Sequence, residues 1–197
     1  MIIRNATILD GTGNAPYRAN VAVFGDSIAF ITEKDISRGK LVVDAKGKYL
    51  APGFIDMHTH SDLEVLRDPD AKARIGQGIT TDVSGNCGIG VFPFVQDALK
   101  GFVSDVLGEY PEWAWSDYCS MKRYYEEKGI GCNELFLVSH TAIRVAVMGY
   151  DSLRAATDEE IDMMCKLLRS ELQADAIGFS SGLYYAPCVF ASREELK

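Results

Sequence analysis

Two histidines separated by one residue, His58 and His60, end an apolar segment that follows a Pro-Gly turn at Gly53. On a β-strand alternate side chains point to the same face, so both imidazoles are expected to face the same way, together with the carboxylate of Asp56. Neutral imidazole is a good ligand for zinc and similar divalent ions. The spacing therefore predicts a pair of metal ligands, although two unrelated histidines would show the same spacing by chance.

Cys87 lies in a glycine-rich segment, Gly85-Asn86-Cys87-Gly88, directly after a second apolar segment. Glycine lets the backbone approach a ligand closely, and a thiolate favours zinc over magnesium or calcium. A lone cysteine is more often a small buried apolar residue, so its role depends on its neighbours. If the two apolar segments are adjacent parallel strands, their ends meet at one edge, and Cys87 joins His58 and His60 in a zinc site.

Two further polar residues are expected to support this site. A histidine that binds a metal usually needs a partner for its second ring nitrogen, so Asp56 is predicted to orient a ligand or its strand rather than to bind metal. His140 ends a third apolar segment and is expected to face the same edge of the sheet. A hydrogen bond to a ligand residue and a contact with substrate remain equally open for His140.

The positions of these residues require parallel strands that alternate with helices. Four apolar segments after residue 50 are the strand candidates: Gly53–His60, Gly78–Gly85, Asn133–His140 and Ala174–Ser181. The helix candidates between them are Pro69–Gln77, Phe94–Leu107, Met121–Lys128 and Asp158–Gln173, the last with Thr157 as N-cap and Glu160 at capping-box spacing. Such alternation is typical of an α/β fold with a parallel sheet.

Residues 1–50 have a different pattern of short strands and turns. The strand candidates are Ile2–Leu9, Asn20–Phe24, Ser27–Thr32 and Leu41–Val43, with a turn at Gly25-Asp26. We therefore expect a small β domain over residues 1–50, followed by an α/β domain over residues 51–197.

The length of the α/β part corresponds to half of a barrel. An eight-stranded (β/α)₈ barrel typically takes about 250 residues, whereas residues 51–197 yield four strand candidates. The last residues, Ala191 to Lys197, resemble the first turn of another helix. We therefore expect a truncated gene product, a proteolytic fragment that ends on Lys197 or an incomplete sequence. The missing half of the barrel or self-association would cover the exposed core.

Composition excludes several classes of partner. The chain has 197 residues, 47% of them hydrophobic, and a formal net charge of −8, which disfavours binding to nucleic acid and to anionic membrane surfaces. The N-terminal residues do not resemble a signal peptide, and no segment is long and apolar enough to span a membrane. Five widely spaced cysteines, none in a CxxC pair, favour a reducing, cytoplasmic location.

Four motifs together resemble a known family. The segments APGFIDMHTH, GITTDVSGNCGIG, VSHTAIR and AIGFSSGLYYAP occur in this order and span most of the chain. They are similar to those of the N-acyl-D-amino-acid deacylases, or D-aminoacylases, of the amidohydrolase superfamily. This resemblance implies the first four β/α units of a TIM-like (β/α)₈ metallohydrolase barrel, preceded by a small β-sandwich segment.

The resemblance also implies a metal site and a reaction. Cys87 would bridge metals in place of the carboxylated lysine of dihydroorotases and hydantoinases, and the AIGFSSGL segment indeed contains no lysine. With His58 and His60 it would hold one or two divalent ions, expected to be Zn²⁺. Tyr184 and Tyr185 would line the pocket for an N-acyl-D-amino acid, although both could simply pack at a loop. The general acid/base aspartate, two more histidines and an arginine for the substrate carboxylate are expected beyond Lys197.

Two alternatives to a D-amino-acid deacylase remain. Another amidohydrolase chemistry, such as cyclic-amide hydrolysis by a dihydroorotase-like or hydantoinase-like enzyme, or dipeptide hydrolysis, would use the same metal site. The chain could also be an inactive fragment that lacks the C-terminal catalytic residues.

Overall fold

The computed structural model describes residues 1–36 and 38–197, which form two compact units, residues 1–53 and 54–197. The strands are β1 (Ile2–Ile8), β2 (Tyr17–Phe24), β3 (Ser27–Thr32), β4 (Val42–Asp44), β5 (Tyr49–Leu50), β6 (Phe54–Asp56), β7 (Ile79–Ser84), β8 (Asn133–Ser139) and β9 (Gly178–Ser180). The α-helices are α1 (Glu64–Arg67), α2 (Lys72–Ile75), α3 (Ala98–Leu107), α4 (Tyr118–Lys128), α5 (His140–Met148) and α6 (Asp158–Gln173). Across these described ranges, no helix has the length and apolar character needed to cross a membrane.

The N-terminal unit is a single mixed sheet with the strand order β3-β2-β1-β4, in which β5 also pairs with β1. β2 pairs antiparallel with both β1 and β3, whereas β4 and β5 run parallel to β1. The turn between β2 and β3 includes Gly25, whose φ of 61° suits a tight hairpin. Residues 1–36 and 38–53 supply one layer only, so the two-layer sandwich stays a prediction.

The second unit is built on a parallel sheet with the order β6-β7-β8-β9. Helices follow each of the first three strands, as parallel pairing requires. The main core includes two side chains of β8, Phe136 and Val138, together with side chains from the helices, such as Val103 and Val145. The carboxyl ends of the four strands therefore share one edge, which is where the predicted ligands lie.

The strand that carries the histidines is shorter than expected. β6 ends at Asp56, so the prediction that Asp56, His58 and His60 alternate along one strand is wrong. The side chain of Asp56 accepts a hydrogen bond from the backbone N–H of His58 over 3.2 Å, which turns the chain out of the sheet. Both histidines consequently lie in the loop after β6.

Two other differences concern β9 and α5. β9 covers only Gly178–Ser180 of the predicted Ala174–Ser181, because the N–H groups of residues 174–176 bond back to carbonyls in the last turn of α6. α5 was not expected, since many of its residues are β-branched or apolar and its sequence also suits a buried strand. Its N-cap is Ser139, whose hydroxyl accepts a hydrogen bond from the N–H of Ala142 over 3.0 Å.

Candidate metal centre

The three predicted ligand residues lie together at the carboxyl edge of the sheet. One ligand atom from each of His58, His60 and Cys87 lies within 4.8 Å of the others. Nε2 of His58 is 3.2 Å from Sγ of Cys87, and the two imidazole centroids are 5.8 Å apart. Two nitrogens and one sulfur converging in this way form a donor set that suits zinc.

The histidine loop is attached to the neighbouring strand through Thr59, the residue between the two histidines. Its N–H donates to the carbonyl of Val83 over 3.3 Å. Its carbonyl accepts a hydrogen bond from Asn86 Nδ2 over 3.4 Å, and the same amide group donates to Val83 over 2.7 Å. These contacts hold the histidine segment against the end of β7, beside Cys87.

His60 has the properties expected of an imidazole that can accept a metal. Its Nδ1 is buried and has no hydrogen-bond partner within residues 1–36 and 38–197. Burial and the charge of His58 lower the pKa of His60 below its ordinary range, which favours the neutral ring. Asp56 contacts the backbone of His58 and so orients the segment; its role next to the ligands stays a prediction.

Cys87 lies in a strained turn. The turn Asn86–Gly88 follows β7, and Gly85, Cys87 and Gly88 have φ values of 81°, 57° and 69°. A positive φ is uncommon for a residue with a side chain and persists only where the surroundings hold it. A Cβ added to Gly88 would lie 2.7 Å from the backbone N of Gly182, so the turn packs directly against the segment after β9.

Three acidic groups with little exposure lie after β6, within β7 and at the start of β8. The carboxyl of Asp62 is completely buried, and burial raises its pKa to about 7. Burial likewise raises the pKa of Glu134 to about 8, and one of its carboxyl oxygens accepts a hydrogen bond from Ser84 over 2.9 Å. Asp82 on β7 is buried and forms an ion pair with Arg74. Sequence reasoning missed this group because its members are far apart in the chain.

His140 is buried at the start of α5, and both of its ring nitrogens have partners. Nδ1 lies 2.8 Å from the hydroxyl of Ser181, and Nε2 lies 2.7 Å from Oε1 of Glu195. Burial opposes the charged imidazole, but interactions with Cys188 and Glu195 outweigh it and raise the pKa of His140 to about 9. The structure thus gives His140 a hydrogen-bonding role, and substrate contact stays a prediction.

The two tyrosines proposed for the substrate pocket lie in the segment after β9. Tyr184 is 88% exposed and Tyr185 is 41% exposed, so both side chains can be reached from solvent. Their rings are nearly perpendicular, with centroids 5.4 Å apart. Gly182, two residues before Tyr184, lies against the backbone carbonyl of Cys87. The segment that carries the tyrosines is therefore in contact with the cysteine turn.

Ser180 also contacts the cysteine turn, and sequence reasoning did not single it out. Its hydroxyl accepts a hydrogen bond from the N–H of Gly88 over 2.9 Å and donates to the carbonyl of Gly85. The motif Ser180-Ser181 has no spacing or composition that separates it from an ordinary strand end.

Comparison with known proteins identifies relatives along the chain. The sequence profile of the amidohydrolase family matches residues 41–197. The N-acyl-D-aspartate deacylase of Alcaligenes xylosoxydans xylosoxydans is 40% identical over 195 residues, which are 99% of this chain and 39% of that protein. The D-aminoacylase of the same organism is 36% identical over 196 residues, covering all of this chain and 40% of the relative.

A solved structure also resembles this chain closely. The N-acyl-D-glutamate deacylase of Bordetella bronchiseptica, complexed with zinc and a phosphonate inhibitor that mimics the tetrahedral intermediate, superimposes with a TM-score of 0.89. It is 36% identical, and the match covers 99% of this chain and 40% of that one. The chain therefore spans about two fifths of the length of the relatives that it matches.

Proposed function

Because the chain belongs to the amidohydrolase family, we propose that it forms the metal-binding part of an enzyme that hydrolyses N-acyl-D-amino acids to a carboxylate and a D-amino acid. The observation that carries this proposal is the convergence of His58, His60 and Cys87 within 4.8 Å. The names of the relatives support the substrate class, since they act on N-acyl-D-aspartate and N-acyl-D-glutamate.

The fold supports the same proposal. We take the parallel sheet β6-β7-β8-β9 and its helices as the first four β/α units of a TIM-like (β/α)₈ barrel. Barrel enzymes place their active sites at the carboxyl ends of the strands, and the three candidate ligands follow β6 and β7 there.

The residues suit one or two zinc ions. Two imidazole nitrogens and a thiolate are ligands that zinc prefers over magnesium or calcium, and the buried Nδ1 of His60 lacks any other partner among the described residues. When bound, such an ion polarises the amide carbonyl and lowers the pKa of a water molecule. His58, His60 and Cys87 hold and orient this centre.

The remaining roles are assigned to residues around the centre. Tyr185 offers its hydroxyl to the acyl oxygen or the carboxylate of the substrate, and Tyr184 lines the pocket beside it. The general acid/base carboxylate that moves the proton lies outside residues 1–197. Because the cysteine must stay reduced to bind metal, we place the enzyme in the cytoplasm.

The experiment is an assay of the full-length protein after removal of metal and reloading with zinc. N-acetyl-D-amino acids, their L-enantiomers and a hydantoin serve as substrates. We expect zinc-dependent release of the D-amino acid and little turnover of the others. Preference for the L-enantiomers or for the hydantoin would overturn the proposed substrate class.

A pair of cysteine variants tests the metal centre itself. Cys87→Ser is expected to reduce zinc content and to abolish turnover, because a serine hydroxyl is a poor zinc ligand at neutral pH. Cys119→Ser is the matched control, since Cys119 is exposed on α4. Equal zinc content and turnover in the two variants would show that Cys87 is not a metal ligand.

A further inference from the structure

The turn that carries Cys87 has one backbone hydrogen bond of its own, from the N–H of Ile89 to the carbonyl of Asn86 over 2.9 Å, and a second closure that depends on Ser180. In an ordinary four-residue turn the carbonyl of the first residue accepts a hydrogen bond from the N–H of the fourth. In the overlapping segment that starts one residue earlier, the first and fourth residues are Gly85 and Gly88, and both of these backbone groups bond to the hydroxyl of Ser180 instead of to each other. Cys87 therefore lies in the segment whose two ends this hydroxyl joins.

Backbone groups lie close to the turn on two sides. A Cβ on Gly85 would collide with the backbone carbonyl of Leu137 on β8, and a Cβ on Gly182 would collide with the carbonyl of Cys87. The turn is therefore confined between β8 and the segment after β9. Two side chains also hold the turn: Asn86 bonds to the carbonyls of Val83 and Thr59, and Ser180 bonds to Gly85 and Gly88. Of these two, Ser180 joins the backbone groups on either side of Cys87, and its hydroxyl can be removed by a substitution that adds no bulk.

We infer that Ser180 is a positioning residue for the metal centre: its hydroxyl, bridging Gly85 and Gly88, holds Cys87 in the left-handed conformation that directs the thiolate toward His58. This inference rests on the proposed metal site. Ser180 itself offers no atom to the metal, since its hydroxyl is already engaged with the two backbone groups. Removal of the hydroxyl frees both groups to bond to each other or to water, and the turn then shifts Cys87.

Cobalt binding tests the inference with a spectroscopic measurement. Metal-free full-length protein is titrated with Co²⁺ while the thiolate-to-cobalt charge-transfer band is recorded. For Ser180→Ala we expect a weaker band and a loss of cobalt affinity of about 10- to 100-fold, the range found when residues that support metal ligands are replaced. Ser180→Thr, which keeps a hydroxyl, is expected to restore both.

Alkylation of Cys87 by iodoacetamide in the metal-free protein supplies a second measurement that needs no metal. Peptide mass spectrometry gives its rate relative to the exposed Cys119. We expect Ser180→Ala to change the rate at Cys87 and leave Cys119 unaffected, because only the cysteine turn is released. The matched control is Ser170→Ala, on the exposed side of α6.

The outcomes separate this inference from the proposed function. Absence of the thiolate band in the wild-type protein would overturn the proposed metal site, while alkylation would still report on the turn. A normal band in the wild type with unchanged affinity and alkylation in Ser180→Ala would overturn the role of Ser180. If Ser180→Ala does not fold, hydrogen exchange at the Gly88 amide of the wild type decides: protection supports the bridge, and exchange at the rate of an open amide refutes it.

Discussion

Gly88 illustrates how individual residues hold the metal centre in place. Its φ is 69°, and a Cβ added at this position would lie 2.7 Å from the backbone N of Gly182. Gly88→Ala is therefore expected to destabilise the protein by about 1–3 kcal/mol, through a left-handed conformation and a clash with backbone that cannot move aside. Urea unfolding measures the change.

Gly101 is the matched control for this prediction. It lies in α3, has no positive φ, and a Cβ there would meet nothing within 4 Å. Gly101→Ala should therefore stabilise the protein, by about 0.5–1 kcal/mol, because alanine favours a helix interior. Destabilisation of equal size in both variants would mean that the fit around Gly88 is not specific.

His140 is expected to make stability depend on pH. Its folded pKa of about 9 lies above the ordinary value of 6.5. The folded state therefore keeps a proton that the unfolded state releases, and the stabilisation is fully present below pH 6.5 and lost as the pH rises through about 9. The free energy of unfolding should fall between these values, with His140 contributing up to about 1.4 kcal/mol per pH unit.

A comparison with His140→Gln isolates this contribution. His140 interacts with Glu195 and Cys188, and Glu195 also forms an ion pair with Arg144. All three of these partners remain in the variant. Other buried acids with raised pKa values, such as Glu134, change stability in the same direction, but they affect both proteins equally. The slope of unfolding free energy against pH should therefore be shallower for His140→Gln, and identical slopes would show that His140 is not the titrating group.

At the scale of elements, local sequence predicted those parts of the fold that local interactions determine. α6 covers the expected Asp158–Gln173, because the capping box of Thr157 and Glu160 begins it as the sequence indicates. The strand Ser27–Thr32 also has its predicted bounds, next to a Gly-Asp turn. β6 and β9 are shorter than the apolar pattern suggests. The Asp56 side chain bonds to the N–H of His58 after β6, and residues 174–176 bond back to α6 before β9, and the apolar pattern contains neither contact.

In the candidate site, too, some features could be predicted from the sequence and others depend on contacts between distant residues. The types of His58, His60 and Cys87 and the parallel arrangement of strands were sufficient to predict that these residues meet. The role inferred for Ser180 could not be predicted, because its hydroxyl reaches groups 92 and 95 positions away in the chain. Such contacts depend on how strand ends align in space, which single-sequence patterns do not encode.

The capping box of α6 gives a prediction at this scale. Thr157 Oγ1 accepts a hydrogen bond from the N–H of Glu160 over 3.2 Å, and Glu160 Oε2 accepts one from the N–H of Thr157 over 2.8 Å. Thr157→Ala leaves one backbone donor of the first turn unpaired and should cost about 1 kcal/mol of stability. Ser170→Ala, later in the same helix, should cost less in the same thermal unfolding experiment, and an equal loss would argue against the cap.

For the whole molecule, the parallel sheet predicts how residues 1–197 behave when purified alone. β6 and β9 are its two edges, each paired with one neighbour among the described strands. Ile55 and Leu135, 57% and 37% exposed, lie on the same face of this sheet by their register with β7. Because open edges and apolar faces promote pairing between chains, we expect concentration-dependent self-association, measured by analytical ultracentrifugation.

A surface variant and zinc binding make this last prediction specific. Ile55→Ser should weaken the association of residues 1–197, whereas Tyr150→Ser, at a site that is 77% exposed outside the sheet, should leave it unchanged. We also expect weaker zinc binding by this chain than by the full-length protein, because it contributes three candidate ligands to a centre expected to have more. A monomer at all concentrations that holds stoichiometric zinc tightly would contradict both expectations and show that residues 1–197 form a complete site.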